Sequence, residues 1–372
     1  MAPRIGYLLP TREFIMAGRP QAKPLLELAE RAARLNFDSI WVGDSLLARP
    51  RHEPLTLLAA VASRLPKVNV GTAVLLPAMR NPVLLAHQVA TLDQIAEGRL
   101  ILGVGIAADV ANIRAEFSAA GAPFEKRVGR LLEGLRLARA LWSGQPIDWD
   151  GRWKVERGVL APTPHRAGGP PIWIGGSLPA SLERAGRHFD GWLPIAPDAQ
   201  QWGQQWKEVK DIARAAGRDP QALTGAMYLT LSIDDSRDRA NERLNTYLEQ
   251  YYSQPAAVTR KRQAGYAGPR EGVAEWLASY ASAGATHLVL RFAGDHERHL
   301  ETIAALRSAV ACRSSLPGLT RLDPAIHHKE IFKREMDHPN SGIPEFGTLS
   351  AQVDRGRLAW SGPRVTARLT PP

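Results

Sequence analysis

VNVGTAVLLPAMRNPVLLAHQVATLDQIAEGRLILGVGI, residues 68–106, is the stretch that decides the fold of this 372-residue chain. An apolar run over 68–76 is followed by a helical pattern that begins at Asn81-Pro82, and then by a second apolar run over 100–104. A strand, a helix and a strand within about forty residues form the βαβ unit of a parallel sheet. Both strands are almost wholly apolar, as expected where a parallel sheet is buried on both faces.

The alternation of strand and helix continues on both sides of this unit. Strand-like segments that alternate with helical patterns lie at 4–10, 38–44, 68–76, 100–104, 171–175, 190–195, 226–233 and 286–292. Eight such repeats favour a closed (β/α)8 barrel, an α/β fold with its catalytic groups at the carboxyl ends of the strands. The segment 143–170, rich in Gly, Pro and Trp, is interpreted as irregular.

The alternation stops after residue 310. We therefore assign residues 1–310 to the barrel domain and residues 311–372 to a C-terminal extension. The extension is rich in Pro, Gly, Ser, Arg and His without apolar periodicity, so it is predicted to be poorly ordered.

Composition narrows the class of protein. Hydrophobic residues at 44% and charged residues at 23% are typical of a globular protein, and no apolar run is long enough for a membrane span. The formal charge of +10 is scattered, without the basic block that would indicate nucleic acid. The lone Cys312 excludes a disulfide framework and favours a reducing, cytoplasmic location, and no histidine spacing indicates a metal site. We expect a small molecule as the partner.

Glycine-rich turns follow two of the predicted strands. Gly175-Gly176-Ser177 ends the fifth strand ahead of a helix, where free N–H groups and the helix dipole favour a phosphate. The alternative is an ordinary capped turn. Gly103 and Gly105 match a loose dinucleotide fingerprint, which makes Gly105 a candidate cofactor-binding position; the alternative is a close backbone approach between strands.

Three polar residues lie where the predicted barrel opens. Asp44 ends the second strand and is a candidate acid or base, or else pairs with a nearby arginine such as Arg49 or Arg51. His52 follows in the same loop and is a second catalytic candidate, or else a solvated histidine. Arg291 ends the eighth strand, where it can bind an anionic substrate group, unless it pairs with Asp295 or Glu297.

Taken together, several of these motifs resemble one protein family. The matching stretches are SIWVGDSLL at 39–47, EPLTLLAAVA at 53–62, residues 71–106, PPIWIGGS at 170–177 and FDGWLPI at 189–195. In this order they resemble the bacterial luciferase-like monooxygenases across residues 4–310.

The resemblance implies a TIM barrel that binds reduced FMN or the deazaflavin coenzyme F-420 at its mouth. It also implies a non-prolyl cis peptide bond at Ala73-Val74 against the cofactor ring, a phosphate loop at Gly175–Ser177, and a homodimer. In the deazaflavin branch an Asp-His pair commonly ends the second strand. Here the pair is Asp44-Ser45, which favours FMN.

The resulting main hypothesis is a flavin-dependent monooxygenase. It would receive reduced FMN from a separate flavin reductase and oxidise a small organic substrate with molecular oxygen. A deazaflavin-dependent oxidoreductase that transfers hydride without oxygen is the alternative. A non-catalytic flavin-binding protein is a further alternative.

Overall fold

Parallel strands close into a barrel in the computed structural model, which describes residues 2–314. The described strands are β1 (Arg4–Leu8), β2 (Ser39–Val42), β3 (Asn69–Thr72), β4 (Leu100–Val104), β5 (Ile147–Asp150), β6 (Lys154–Gly158), β7 (Ile172–Ile174), β8 (Gly191–Trp192), β9 (Thr224–Ile233), β10 (Gly265–Gly268) and β11 (His287–Phe292). The closed ring runs β1-β2-β3-β4-β7-β8-β9-β11 and returns to β1. These eight strands are the eight predicted ones, and the TIM-barrel prediction is confirmed.

Helices surround the barrel. They are α1 (Thr11–Met16), α2 (Lys23–Arg34), α3 (Pro54–Arg64), α4 (Pro82–Ile95), α5 (Ala111–Ala119), α6 (Arg127–Leu141), α7 (Pro179–His188), α8 (Ala199–Ala215), α9 (Arg237–Tyr252), α10 (Ala256–Arg260), α11 (Arg270–Ser282) and α12 (His296–Ser314). Asn81 shows how such a helix begins: its side chain accepts from the N–H groups of Val83 and Leu84, and Pro82 occupies the first turn. Within residues 2–314, no helix has the length and apolarity needed to cross a membrane.

Alternation along β11 separates two cores. His287, Val289 and Arg291 share one face of the strand, and Val289 packs with Trp41 and Trp173 inside the barrel. The residues between them, including Leu288 and Leu290, pack outward with the helices. A single strand therefore carries a histidine near the amino-terminal end of the barrel interior and an arginine near its mouth.

Five elements were not predicted from the sequence. The segment 143–170 is not wholly irregular, because it contains the antiparallel hairpin β5–β6, in which Arg152 donates to Glu133 of α6. The others are the short helices α1 and α10 and the strand β10, which pairs with the second half of β9. Helix α12 continues to Ser314, past the predicted boundary at residue 310. From residue 315 onward the predicted extension lies outside the described residues.

Candidate active site

The end of β3 has the backbone conformation that the resemblance implied. The Ala73-Val74 peptide bond is cis. The neighbouring strand β4 comes so close that a Cβ at Gly103 would collide with the Thr72 carbonyl oxygen, and one at Gly105 would lie 2.6 Å from Val74 Cγ2. Gly103 and Gly105 thus fit the close-approach interpretation. The binding of a cofactor by Ala73, Val74 and Gly105 stays a prediction.

Asp44 lies next to this segment and is held by three hydrogen bonds. Its carboxylate accepts from Arg80 Nη1 at 2.6 Å, from Arg80 Nη2 at 3.1 Å and from the Leu76 N–H at 2.9 Å. The Asp44 side chain is only 2% exposed. An ion pair with Arg49 or Arg51 was the alternative to the acid or base role, and the partner observed is Arg80. In this geometry Asp44 positions the chain that follows β3, and its role as an acid or base stays a prediction.

His52 has one nitrogen engaged and one free of protein partners. Its Nε2 lies 2.8 Å from the Pro20 carbonyl oxygen, so Nε2 carries the proton and donates. Nδ1 is buried and, among the described residues, has no hydrogen-bond partner. The imidazole therefore keeps a lone pair that can accept a proton from a ligand.

The turn after β7 has features of an anion cradle. Gly176 has φ of +104°, a conformation that L side chains rarely adopt, and a Cβ there would lie 2.7 Å from Ser181 Oγ. Ser177 belongs to the predicted phosphate loop, but its hydroxyl donates to the Ala196 carbonyl oxygen. The N-cap position of α7 is held by Leu178.

Arg184 supplies the free donor at this turn. Its Nη2 donates to Ser181 Oγ at 3.3 Å, and Ser181 is the residue that faces Gly176. Its Nε is buried and has no partner within residues 2–314. An anion at the start of α7 would meet both this guanidinium group and the positive end of the helix dipole. Nothing in the local sequence marks Arg184, which lies in the second turn of the helix.

Arg291 is 2% exposed and bound to neutral partners. Its Nε and Nη2 donate to Thr230 Oγ1 at 3.2 and 2.9 Å, and its Nη1 donates to the Tyr252 hydroxyl at 2.9 Å. Nη2 also donates to Gln263 Oε1 at 3.0 Å. The alternative pairing with Asp295 or Glu297 is not observed. Substrate binding by Arg291 stays a prediction.

A profile comparison places these features in a known family. The sequence profile described as luciferase-like monooxygenase matches residues 3–313. The chain belongs to the luciferase-like monooxygenase family. Its TIM barrel, cis bond and glycine turn are where the sequence resemblance located them.

Two similar proteins of this family are F-420-dependent glucose-6-phosphate dehydrogenases. The chain is 30% identical over 327 residues to an F-420-dependent glucose-6-phosphate dehydrogenase of Amycolatopsis mediterranei, covering 80% of this chain and 95% of the relative. It is also 30% identical over 329 residues to the enzyme of that name from Mycolicibacterium smegmatis, with the same coverage.

Solved structures confirm the family fold. An F-420-dependent secondary alcohol dehydrogenase in complex with an F-420–acetone adduct superposes with a TM-score of 0.71 at 23% identity, covering 83% of this chain and 99% of that one. The oxygenating constituent of 3,6-diketocamphane monooxygenase from Pseudomonas putida, in complex with FMN, gives 0.68 at 19% identity, covering 85% and 100%. At these identities the likeness shows the fold alone.

Proposed function

We propose that this luciferase-like protein is an oxidoreductase that uses the deazaflavin coenzyme F-420 for hydride transfer. The observation that carries the proposal is its 30% identity, over 80% of the chain, to F-420-dependent glucose-6-phosphate dehydrogenases. These relatives favour the deazaflavin alternative over the FMN monooxygenase that the missing Asp-His pair suggested. Asp44-Ser45 is therefore a local departure and a poor guide to the cofactor.

The residues present fit such a coenzyme. The unpartnered Arg184 Nε near the start of α7 suits a phosphate group, which FMN and F-420 both carry. The cis peptide bond Ala73-Val74, directly after β3, is the segment that the family resemblance assigns to the ring. Since both flavins would satisfy these contacts, the choice of F-420 rests on the relatives.

Bound F-420 supplies a two-electron hydride acceptor. When an alcohol carbon gives up its hydride, the hydroxyl proton must go to an acceptor in the protein or solvent. His52 Nδ1 is the candidate, because it is a buried lone pair without a protein partner, and the bond from Nε2 to Pro20 fixes the tautomer. Asp44 and Arg80 hold the neighbouring backbone in place.

The proposed function affects the predicted flavin reductase but not the predicted homodimer. A separate flavin reductase is needed only under the FMN hypothesis. Under the proposed function the enzyme takes up oxidised F-420 and reduces it with hydride from the substrate, so no reductase is required. The homodimer stays a prediction from the family resemblance.

Equilibrium titration of the purified protein with F-420 and with FMN, followed by fluorescence, tests the cofactor. We expect F-420 to bind at least about tenfold more tightly than FMN, a difference of about 1.4 kcal/mol. Tighter binding of FMN, together with oxygen uptake when reduced FMN is supplied, would restore the monooxygenase hypothesis.

A further inference from the structure

We propose that the substrate of this enzyme carries a phosphate or carboxylate group, bound at the mouth of the barrel by the guanidinium groups of Arg12, Arg49 and Arg51 beside Arg291. The inference rests on the proposed function, because it concerns the molecule that exchanges hydride with the coenzyme. We call these four residues the arginine cluster.

The arginine cluster surrounds two tyrosines on the last turn of α9. The guanidinium carbons of Arg291, Arg12 and Arg51 lie 4.9, 5.2 and 5.7 Å from the centroid of the Tyr251 ring. Those of Arg49 and Arg291 lie 4.9 and 5.5 Å from the centroid of Tyr252. Three cations around one phenol ring exceed what packing requires, since each cation–π contact is modest and the cations repel one another.

The elements that carry the cluster all reach the mouth of the barrel. Arg12 lies on α1, directly after β1, and Arg49 and Arg51 lie in the loop after β2. Arg291 is the penultimate residue of β11. Because parallel strands present their carboxyl ends at the same side, the four guanidinium groups converge where substrates bind in this fold.

Carboxylates do not balance this charge. Within residues 2–314, no salt bridge joins any of the four arginines to an acidic side chain. The acidic residue near them is Glu13, which accepts a hydrogen bond from the Tyr247 hydroxyl. Burial raises the pKa of Tyr228 and of Tyr247 well above the usual value, so both phenols are neutral. Arg12 and Arg291 are buried, and no carboxylate of residues 2–314 is bound to either of them. Burying a charge without a bound partner is costly, and an anionic ligand would lower that cost.

An unpartnered donor lies in the same place. Gln263 is 7% exposed, and its Oε1 accepts from Arg291 Nη2 at 3.0 Å and from the Tyr252 hydroxyl at 3.1 Å. These two donors fix the orientation of the amide, because a flip would set the NH2 group against them. Gln263 Nε2 is buried without a partner among the described residues, so it adds a neutral donor for an anion.

Arg51 connects the arginine cluster with the predicted coenzyme-binding segment at Ala73-Val74. Its Nη1 lies against Gly43 so closely that a Cβ there would collide with it, and that Cβ would lie 3.6 Å from the Ala73 carbonyl oxygen. Arg51 therefore lies near the Ala73-Val74 bond, next to Gly43, and that bond is the predicted platform of the coenzyme ring. An anion held by Arg51 would have its attached carbon near that ring.

Calorimetric titration of the purified full chain with inorganic phosphate and with malonate, at low ionic strength, tests the inference. We expect one of the two to bind the wild type, and its affinity to fall at least about tenfold in Arg51→Gln, as for loss of a charge-assisted bond. Arg49→Gln should behave alike and guards against a folding defect in one variant. The matched control is Arg214→Gln, an exposed arginine of α8 that pairs with Asp211 and should leave binding unchanged.

The two anions separate the substrate classes: tighter phosphate indicates a phosphate monoester, and tighter malonate a carboxylate. Absence of binding to the wild type, or equal binding by Arg51→Gln, would overturn the inference. So would the loss of anion binding when F-420 saturates the protein, because the cluster would then hold the coenzyme's own acidic groups. If F-420 fails to bind while the anion still does, the proposed function fails and the anion site stands.

Discussion

His287 and Arg291 lie four residues apart on the same face of β11, and both project into the barrel. His287 is hydrogen-bonded to Ser39 Oγ at 2.7 Å, which in turn accepts from Trp41 Nε1. Burial lowers the pKa of His287 to about 3, so it is a neutral group in a closed network. Arg291 cannot lose its charge in this way and has Arg12 and Arg51 as neighbours around Tyr251.

The contrast between His287 and Arg291 distinguishes a residue that serves packing from one that is available for binding. At the amino-terminal end of the barrel, a basic group gives up its charge and becomes part of the core. At the mouth, several charges are kept without carboxylates, an arrangement that a folded chain has no reason to retain for stability alone. Arg184, whose Nε is unpartnered among the described residues, is another charged group without a carboxylate near the barrel mouth.

Lowering the pH should destabilise the fold, because three buried histidines are neutral in the folded chain. Burial lowers the pKa of His287 and His296 to about 3 and that of His299 to about 4, all below the unfolded value near 6.5. The unfolded chain therefore binds more protons as pH falls below about 6.5, and stability declines from there. By pH 4 each histidine should remove on the order of 3 kcal/mol. Urea unfolding between pH 8 and pH 4 measures this, and a flat stability across that window would contradict it.

Arg291→Met tests the arginine that keeps its charge at the barrel mouth. We expect kcat/KM to fall by roughly 30- to several-thousand-fold, corresponding to about 2–5 kcal/mol for a buried charge partner that is removed. The free energy of unfolding should fall by about 1–3 kcal/mol, because Thr230 Oγ1 and Gln263 Oε1 lose a buried donor while the cost of burying the charge is removed. A large loss of stability with normal kinetics would make Arg291 a packing residue like His287.

Arg184→Gln extends the comparison to the phosphate turn. Loss of a charge-assisted bond should weaken F-420 binding by about 1.5–3 kcal/mol, or roughly 10- to 150-fold. The deazaflavin chromophore without its phosphate serves as the control and should bind both proteins alike. Fluorescence titration provides the measurement, and equal losses for both ligands would place the phosphate elsewhere.

Ser177→Ala should have the smallest effect. Its hydroxyl donates to Ala196 in the same chain, so its loss should alter the turn by about 0.5–1.5 kcal/mol without removing a ligand contact. The same titration should show similar small losses for F-420 and for the phosphate-free chromophore. A loss confined to F-420 would return the phosphate donor to Ser177.

Much of the fold was predictable because it is local. The eight barrel strands are buried apolar runs with helices between them, so their sequence pattern and their structure coincide. The hairpin β5–β6 was missed because its residues are half exposed and polar, and β10 because Gly265–Gly268 is glycine-rich.

In the candidate site, too, the features that depend on neighbouring residues were predictable, and those that the fold assembles from distant residues were not. The turn at Gly176 was located from a short motif, and the cis bond at Ala73-Val74 was implied by the family resemblance. The arginine cluster was not, apart from Arg291, because its members meet on tyrosines about two hundred residues away along the chain. Likewise Asp44 was expected to pair with a sequence neighbour and instead meets Arg80, which the fold brings to it.

An anaerobic turnover assay with oxidised F-420 and matched pairs of alcohols, one phosphorylated or carboxylated and one neutral, tests the proposed activity and the arginine cluster together. We expect F-420 to be reduced only with the anionic member of a pair, and Arg51→Gln to abolish this preference. Reduction of F-420 by neutral and anionic members at the same rate would contradict the role of the arginine cluster. Failure of every pair to reduce F-420, with oxygen consumed once reduced FMN is supplied, would contradict the proposed activity itself.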